Sequence, residues 1–420
     1  KIGKDTVLQQ IIKVVQEAQT GKAPIQRLAD KVSSVFTPTV IIIAVLSGIL
    51  WFVLGQSFIF ALTIFITILI IACPCALGIA TPTAILVGTG LGAQNGILIK
   101  GGEALEVAKK VNTIIFDKTG TLTKGEPSVT DVIRLSNVKE DEVLRLAAIA
   151  ETGSEHPIGE SIVKKAEEKK LTIPNVKTYQ TISGKGIKAS YLNKQILVGN
   201  KILMEDNAVE TGKLKTEIEK LENEGKTTVI VGYGGKAIGL IAVADTLKEF
   251  SKEAVDTLKR RMNIDVWMIT GDNERTANAI AKEVGIDYVM AQVLPEDKAK
   301  KVKELQDKGA VVASVGDGIN DAPMLAQADL GIAIGSGTDV ALETGKIVLI
   351  KNDLRDVVTA IDLSKYTVNK IKQNLFWAFF YNTVGIPIAA GILYPFFGLL
   401  LSPIIAGAAM AFSSFSVVGN

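Results

Sequence analysis

The sequence has 420 residues and 46 basic against 44 acidic side chains, so its formal net charge of +2 gives no indication of a nucleic-acid partner. At roughly 150 residues per domain, this length predicts about three domains. Two cysteines and one histidine exclude a disulfide scaffold and a histidine-rich metal cluster. Charged residues are absent from Val32–Ile99 and from Gln373–Asn420, which excludes an ordinary soluble enzyme and predicts a membrane protein with a large soluble insert.

Residues 1–34 are the first predicted element, an amphipathic linker. Its helical spacing is carried by six apolar positions, Val7, Leu8, Ile11, Ile12, Val15 and Ala18.

The two uncharged stretches are predicted to form two transmembrane helix pairs, in residues 35–99 and 372–420, because a helix needs about 20 apolar residues to cross a bilayer. Core helices of a large soluble protein are the disfavoured alternative, since such helices carry a charged face. The basic N-terminal segment and Lys100, Lys109 and Lys110 place the soluble parts in the cytoplasm by the positive-inside rule, and the protein in the cytoplasmic membrane. The predicted spans are Val35–Leu54, Phe58–Leu77, Leu375–Leu393 and Gly398–Val418.

Three apolar runs in the soluble insert each lead into an aspartate. Val111–Phe116 precedes Asp117, and two later runs precede Asp272 and Asp317. Short apolar runs alternating with helical patterns predict parallel strands of a doubly wound α/β domain, whose ligands lie at the carboxyl ends of the strands. All three aspartates are therefore expected at one edge of the sheet.

Such an arrangement suits phosphoryl transfer to a carboxylate. An aspartate can attack a phosphoryl group only if Mg²⁺ and a lysine offset the repulsion between the negative charges. In the alternative interpretation, each aspartate has a structural role and only caps the helix that follows its strand. Three aspartates at strand ends, together with the Pro295–Lys298 turn, favour the catalytic interpretation.

The motifs around these aspartates resemble those of P-type ATPases. Asp117–Thr123 reads DKTGTLT, the phosphorylation signature of that family, and Thr270–Asp272 and Gly316–Asp321 are similar to its next two motifs. The resemblance implies a haloacid-dehalogenase-like α/β phosphorylation domain in residues 100–123 and 240–371. It also implies Asp117 as nucleophile, Lys298 on the phosphate, and Mg²⁺ held by Asp117, Asp317 and the Thr119 carbonyl. The other implied phosphorylation-site residues are Lys118, Thr119, Thr270, Gly271, Asp272, Asn320 and Asp321.

Residues 124–239 interrupt the strand–helix series and are predicted to form an inserted α+β lobe. Ser154–Pro157 reads SEHP and resembles a motif of the heavy-metal-transporting subclass, in which this lobe is the nucleotide-binding domain. A neutral imidazole can stack on adenine, although a lone histidine is more often structural. The implied ATP-binding residues are Glu151, His156, Gly184, Gly186, Gly199 and Asn200.

Cys73-Pro74-Cys75 lies within the second apolar run. A proline removes a helix hydrogen bond, and two thiolates beside it are soft ligands that suit Cu(I) or Zn²⁺. Cysteines so close are expected to form a disulfide only with strain. In the alternative interpretation, the two cysteines are ordinary small apolar residues and the proline only kinks the helix. The motif, however, resembles the transport site of the heavy-metal subclass. The implied ligands of the transported copper are Cys73, Cys75, Tyr381, Asn382, Met410 and Ser414.

The resemblance implies ATP-driven export of Cu(I), and of Ag(I) as a second cargo, through an aspartyl phosphate. A copper chaperone is a candidate donor of the ion.

Among the alternatives, a zinc- or cadmium-transporting ATPase is disfavoured, because that branch needs a lysine and an aspartate in spans that here are uncharged. A membrane-anchored phosphatase of the same fold and a metal-sensing membrane protein stay open. Complete members of the family have more membrane helices and an actuator domain, so an incomplete pump is expected, one that binds ATP without completing a transport cycle.

Overall fold

The computed structural model describes residues 23–135, 138–154, 156–174, 179–182, 184–317, 321–335 and 343–420. The chain divides into two compact units, one of Lys1–Lys110 with Thr359–Asn420 and the other of Val111–Val358. The predicted helical pattern of the linker at positions 7–18 lies outside the described residues.

The first unit is built from apolar helices. By length and hydropathy, the segments Pro24–Val53 and Phe58–Gln94 are suited to cross a membrane, and Pro403–Gly419 is a shorter apolar helix. Their interior faces form a common apolar cluster that includes Val40, Ile64 and Met410. The elements of this unit are the helices Pro24–Val53, Phe58–Ile71, Cys75–Gln94, Gly102–Lys110, Arg355–Ala389, Tyr394–Phe397 and Pro403–Gly419, and the strand β1, Ile97–Ile99.

The second predicted span, Phe58–Leu77, is interrupted at the Cys73-Pro74-Cys75 motif. One helix ends at Ile71, and a new helix begins at Cys75 and continues to Gln94. The break follows from Pro74, which has no N–H to donate and disfavours helical geometry in the residue before it. The other predicted ends also shift, since the first helix begins at Pro24 and the last begins at Pro403.

In the second unit, the predicted parallel sheet is present. Its strands lie in the order β13-β12-β11-β2-β9-β10, and every neighbouring pair is parallel. Most of the strand residues are buried, as expected for a sheet covered by helices on both faces. The strands are β2 Thr113–Asp117, β9 Asp265–Ile269, β10 Tyr288–Met290, β11 Val312–Gly316, β12 Leu330–Ile334 and β13 Ile347–Leu349, and the longer accompanying helices are Ser251–Asp256, Glu274–Val284, Lys298–Gln306 and Ala322–Gln327.

A second sheet of the same unit is antiparallel, in the order β3-β8-β7-β6-β5-β4. Its apolar core includes Val143, Ile187 and Val231. The sequence analysis divides the two soluble domains between residues 239 and 240, a point that lies within β8. That boundary stays a prediction. The strands are β3 Ser128–Arg134, β4 Tyr179–Ile182, β5 Gly186–Tyr191, β6 Lys194–Gly199, β7 Thr227–Tyr233 and β8 Lys236–Ala244, and the helices are Glu140–Glu151, Pro157–Glu168, Lys201–Asp206 and Lys215–Asn223.

Candidate active site

The carboxyl ends of the parallel strands bring a lysine between two aspartates. Asp117 is the last residue of β2 and is 6% exposed. The Nζ atom of Lys298 lies 2.7 Å from Oδ1 of Asp117 and 2.6 Å from Oδ1 of Asp321. Lys298 begins its helix directly after the Pro295–Asp297 turn, which aims its side chain at the edge of the sheet. The sequence-predicted Asp117, Lys298 and Asp321 therefore form one buried cluster.

The electrostatics of this cluster favour a shared cation. Burial and the Asp321 carboxylate raise the pKa of Asp117 to about 7, although Lys298 and Lys118 act in the opposite direction. Burial also raises the pKa of Asp321. Burial disfavours the charged form of Lys298, but the two carboxylates outweigh it and raise the pKa of this lysine to about 12. Lys298 is therefore a fixed positive charge, and Asp117 depends on it to remain ionised.

A second ion pair joins the strand ends of β2 and β9. Lys118 Nζ lies 2.5 Å from Oδ2 of Asp272, with both side chains nearly buried. The Asp272 N–H donates to the Thr270 hydroxyl at 3.1 Å, and its Oδ1 accepts from the Thr227 hydroxyl at 3.2 Å. Gly271, which has no side chain, lies between Thr270 and Asp272. The predicted Lys118, Thr270, Gly271 and Asp272 thus lie together, beside Thr227 from the antiparallel sheet.

The turn after Asp117 is held by two residues that the sequence analysis missed, Asp245 and Lys248. The Lys248 Nζ donates to the Gly120 carbonyl at 2.6 Å and to Oδ1 of Asn352 at 2.5 Å. Asp245 accepts from the Thr123 hydroxyl at 2.5 Å through Oδ2. The sequence did contain a pattern that could have identified Asp245, because this residue directly follows a buried strand, β8.

Replacing Lys248 by methionine should slow any reaction at Asp117 by roughly ten- to a hundredfold, because the turn that carries Gly120 loses its anchor. The same change leaves a buried carbonyl without its donor and should lower the free energy of unfolding by about 1–3 kcal/mol. Single-turnover kinetics and urea denaturation measure the two effects. Lys252→Met, an exposed position on the following helix, is the matched control, and equal rates in both variants would show that Lys248 does not position the turn.

Asp117, Asp317 and the Thr119 carbonyl supply hard oxygen ligands of the kind that Mg²⁺ prefers. The Asp317 carboxylate lies against Gly120, whose φ of 75° lets the turn pass close to it. Oδ2 of Asp321 is buried and has no hydrogen-bond partner among the described residues. The described residues contain no group of three or more His, Cys, Asp or Glu side chains in metal-binding geometry, so the carbonyl and waters would have to complete the coordination. The residues present fit Mg²⁺ if the Thr119 carbonyl and waters complete its coordination.

The predicted site residue Asn320 lies outside the described residues.

In the antiparallel lobe, Glu151 and His156 lie around the start of the helix Pro157–Glu168. Burial raises the pKa of Glu151, against a hydrogen bond from Ser154. The His156 Nδ1 accepts from the Ile158 N–H at 3.3 Å, so the neutral ring carries its proton on Nε2. Partial desolvation lowers the pKa of His156, with Asp272 opposing and Lys118 reinforcing the shift. The imidazole is therefore neutral and lies within electrostatic range of the Lys118–Asp272 pair.

The predicted glycines of this lobe form a second group. Gly186 and Gly199 are paired across β5 and β6, and a Cβ on either would collide with backbone atoms, the Val198 carbonyl or the Lys185 carbonyl. Asn200 Nδ2 donates to the Gly184 carbonyl at 2.8 Å. Gly184, Gly186, Gly199 and Asn200 are thus adjacent, and contacts between backbones already require two of these glycines.

In the helical unit, the break at Pro74 turns Cys73 and Cys75 towards each other. The structure joins the two sulfurs as a disulfide, with Cα atoms 5.4 Å apart. The sequence analysis expected a bridge between so close a pair only with strain, and the structure forms one. The reason is geometric, since the end of one helix and the start of the next bring the Cα atoms into the ordinary disulfide range. A disulfide has no thiolate, so any metal-binding role belongs to the reduced form.

Polar atoms without partners are buried in the same unit. Among the described residues, the Asn382 Oδ1 and Ser413 Oγ atoms have no hydrogen-bond partner. Met410 is 7% exposed and shares an apolar cluster with Cys73. Of the other predicted ligands, Tyr381 and Ser414 are only partly buried. Ser413, which the sequence analysis did not select, is the buried serine of this helix.

Comparisons with known proteins identify relatives of this chain. A family model described as haloacid dehalogenase-like hydrolase matches residues 111–329. The whole chain is 57% identical to a protein from Archaeoglobus fulgidus named probable copper-exporting P-type ATPase, and covers 52% of that protein. A crystal structure of a zinc-transporting PIB-type ATPase in the E2.Pi state matches the whole chain with a TM-score of 0.71 and 35% identity, and the chain covers 67% of it. The chain belongs to the P-type ATPases.

Membership of the P-type ATPases confirms the predicted fold class, a multidomain membrane protein with a haloacid-dehalogenase-like domain and an inserted α+β nucleotide-binding domain. A solved catalytic domain of a CPx-ATPase, described for its conformational changes upon nucleotide binding, matches with a TM-score of 0.51 and 30% identity, covering 66% of this chain and 98% of that domain. The chain spans about half the length of the curated relatives it matches.

Proposed function

We propose that this P-type ATPase segment uses ATP to drive the export of Cu(I), and of Ag(I) as a second cargo, through a phosphorylated Asp117. The observation that carries the proposal is the buried Asp117–Lys298–Asp321 cluster at the carboxyl ends of the parallel strands. The name of the Archaeoglobus relative, a probable copper-exporting ATPase, supports the choice of cargo.

In the proposed reaction, an Oδ atom of Asp117 forms a bond to the γ-phosphorus of ATP as the bond to the β,γ-bridging oxygen breaks, and ADP leaves with that electron pair. Lys298 keeps Asp117 ionised before the attack and then faces the transferred phosphoryl oxygens. Asp321 holds Lys298 in place from the other side. The Lys248 contact with the Gly120 carbonyl keeps the turn after the nucleophile in one geometry.

Asp117, Asp317 and the Thr119 carbonyl would hold Mg²⁺, which supplies charge neutralisation for the phosphate oxygens when it is bound. The adenine would stack on the neutral His156 ring. Because His156 lies within electrostatic range of Lys118 and Asp272, a nucleotide bound there can extend its phosphates towards the edge of the sheet. Glu151 and the Gly184–Asn200 group would complete the ATP site.

The reduced Cys73 and Cys75 thiolates would bind the transported ion, with Met410 as a third soft ligand. Tyr381, Asn382 and Ser414 would line the same path. A monovalent ion on two thiolates leaves one net negative charge, whereas Zn²⁺ calls for hard charged ligands. Neither the broken helix pair nor Gln373–Asn420 contains a charged residue. This favours Cu(I) over the zinc that the similar solved pump is named for.

The test is metal-dependent phosphorylation of the reduced chain by labelled ATP in the presence of Cu(I), Ag(I) or Zn²⁺. We expect label with Cu(I) and Ag(I) only, and at least about a tenfold loss of it in Cys75→Ser, because one of the two soft ligands is replaced by a hard one. Gly78→Ser is the matched control, since it adds the same hydroxyl on the same helix where nothing lies within 4 Å of a new Cβ.

Label that depends on Zn²⁺ would overturn the choice of cargo. Label that is indifferent to metal and to Cys75→Ser, together with hydrolysis of small phosphate esters, would favour the phosphatase alternative.

A further inference from the structure

Two lysines meet in the helical unit next to the start of an uncharged stretch. The Lys109 ammonium donates to Oδ1 of Asn369, and the Lys372 side chain lies within hydrogen-bonding reach of the same ammonium. Lys109 is on the helix Gly102–Lys110, and the other two residues are on Arg355–Ala389. Gln373 follows directly and begins the stretch without charges that continues to Asn420. The pair therefore lies directly before the uncharged stretch that the sequence predicts to cross the membrane.

Nothing in the described part of the chain neutralises this pair of like charges. No carboxylate there forms an ion pair with either ammonium. The nearby Lys370 ammonium instead donates to Oδ1 of Asn420 at 2.9 Å. Burial and, second, the neighbouring Lys372 lower the pKa of Lys109. Two ammonium groups so close together repel each other unless an anion lies between them.

An exposed aromatic stripe continues from the pair along the same helix face. Asn369, Lys372, Phe376 and Phe380 follow one another at spacings of three and four residues, so they lie on one side of the helix. Phe376 is 61% and Phe380 is 44% exposed, and their rings are stacked with centroids 6.0 Å apart. A polar end with two cations followed by an apolar aromatic surface matches the two ends of a phospholipid.

We propose that Lys109 and Lys372 bind the phosphate of an anionic phospholipid whose acyl chain lies along Phe376 and Phe380. The ammonium groups and the Asn369 side chain fix the headgroup, and the aromatic stripe covers the first part of the chain. A free phosphate would satisfy the charges but would leave the stripe uncovered, so the lipid is the occupant that uses both halves of the surface. None of the residues of this site is among those assigned to ATP or copper, although the stripe ends at Phe380, next to Tyr381.

The test measures which lipid the purified chain retains from detergent micelles containing equal amounts of phosphatidylglycerol and phosphatidylcholine, by native mass spectrometry. The wild-type chain should retain phosphatidylglycerol preferentially. The double variant Lys109→Gln/Lys372→Gln should lose about 25-fold in this preference, since each lysine near an anionic lipid contributes about fivefold. The matched control Lys31→Gln/Lys110→Gln removes the same charge from exposed positions of the same compact unit and should keep the preference.

An equal loss in the two double variants, or no preference in the wild type, would overturn the site. Retention is also measured with excess inorganic phosphate. Phosphatidylglycerol that remains bound supports the lipid site, and displacement by phosphate at low concentration would show that a free anion is the ligand and overturn the proposal. Both double variants should unfold at the same temperature as the wild type. This result shows that the lipid preferences being compared are those of folded proteins.

Discussion

Phosphate transfer from ATP to the chain should fall to background, at least about a thousandfold, when Asp117 is replaced by asparagine. The amide has nearly the same shape as the carboxylate and can still lie beside Lys298, but its oxygen carries no charge with which to attack phosphorus. Binding of ATP should persist, because the predicted nucleotide residues lie in the antiparallel lobe and Asp117 is not one of them. Acid-quenched labelling and equilibrium nucleotide binding separate the two effects.

The matched control is Asp287→Asn, which removes a carboxylate that is 65% exposed and pairs with Lys259. It should label like the wild type. Undiminished labelling of Asp117→Asn would show that the nucleophile is another residue.

Replacing Lys298 by methionine should slow phosphorylation about 100- to 1,000-fold. Methionine fills similar space but leaves the Asp117 and Asp321 carboxylates facing each other without the cation that now bridges them at 2.7 and 2.6 Å. Asp117 then becomes harder to ionise and the incoming phosphate meets no positive charge. Rapid-quench kinetics at saturating ATP measure the step directly.

Lys300→Met provides the control for this variant. Lys300 is on the same helix, two residues further on, but its side chain is 76% exposed and pairs with the partly buried Asp297. Its rate should equal that of the wild type. A Lys298→Met rate within about twofold of the control would contradict the role assigned to the buried cation.

The parts of the site that the sequence predicted are those set by a repeating local pattern. An apolar run followed by an aspartate marks a buried parallel strand, and this pattern located Asp117, Asp272 and Asp317. Lys298 came from the resemblance to P-type ATPases rather than from its surroundings, because an isolated lysine at a helix start has no distinctive pattern. The structure shows how they meet, through the pairing of β2 with both β9 and β11.

The parts that the sequence did not predict depend on tertiary contacts. Lys248 acts through a carbonyl 128 positions away in the chain, and no local pattern records such a partner. The break at Pro74 was anticipated as a kink, yet the helix restarts at Cys75 and continues to Gln94, because small residues after it pack well. The choice between Ser413 and Ser414 depends on which side of the helix faces inward, and an almost uniformly apolar helix gives no periodicity from which to decide.

The most direct test of this account is to locate the phosphate chemically. The reduced wild-type chain is mixed with γ-labelled ATP, Mg²⁺ and Cu(I), quenched in acid, digested, and the labelled peptide is sequenced with and without hydroxylamine. The account predicts a hydroxylamine-sensitive label on the peptide that contains Asp117. Label on a serine, threonine or histidine, or ATP that binds without leaving phosphate on the chain, would contradict it.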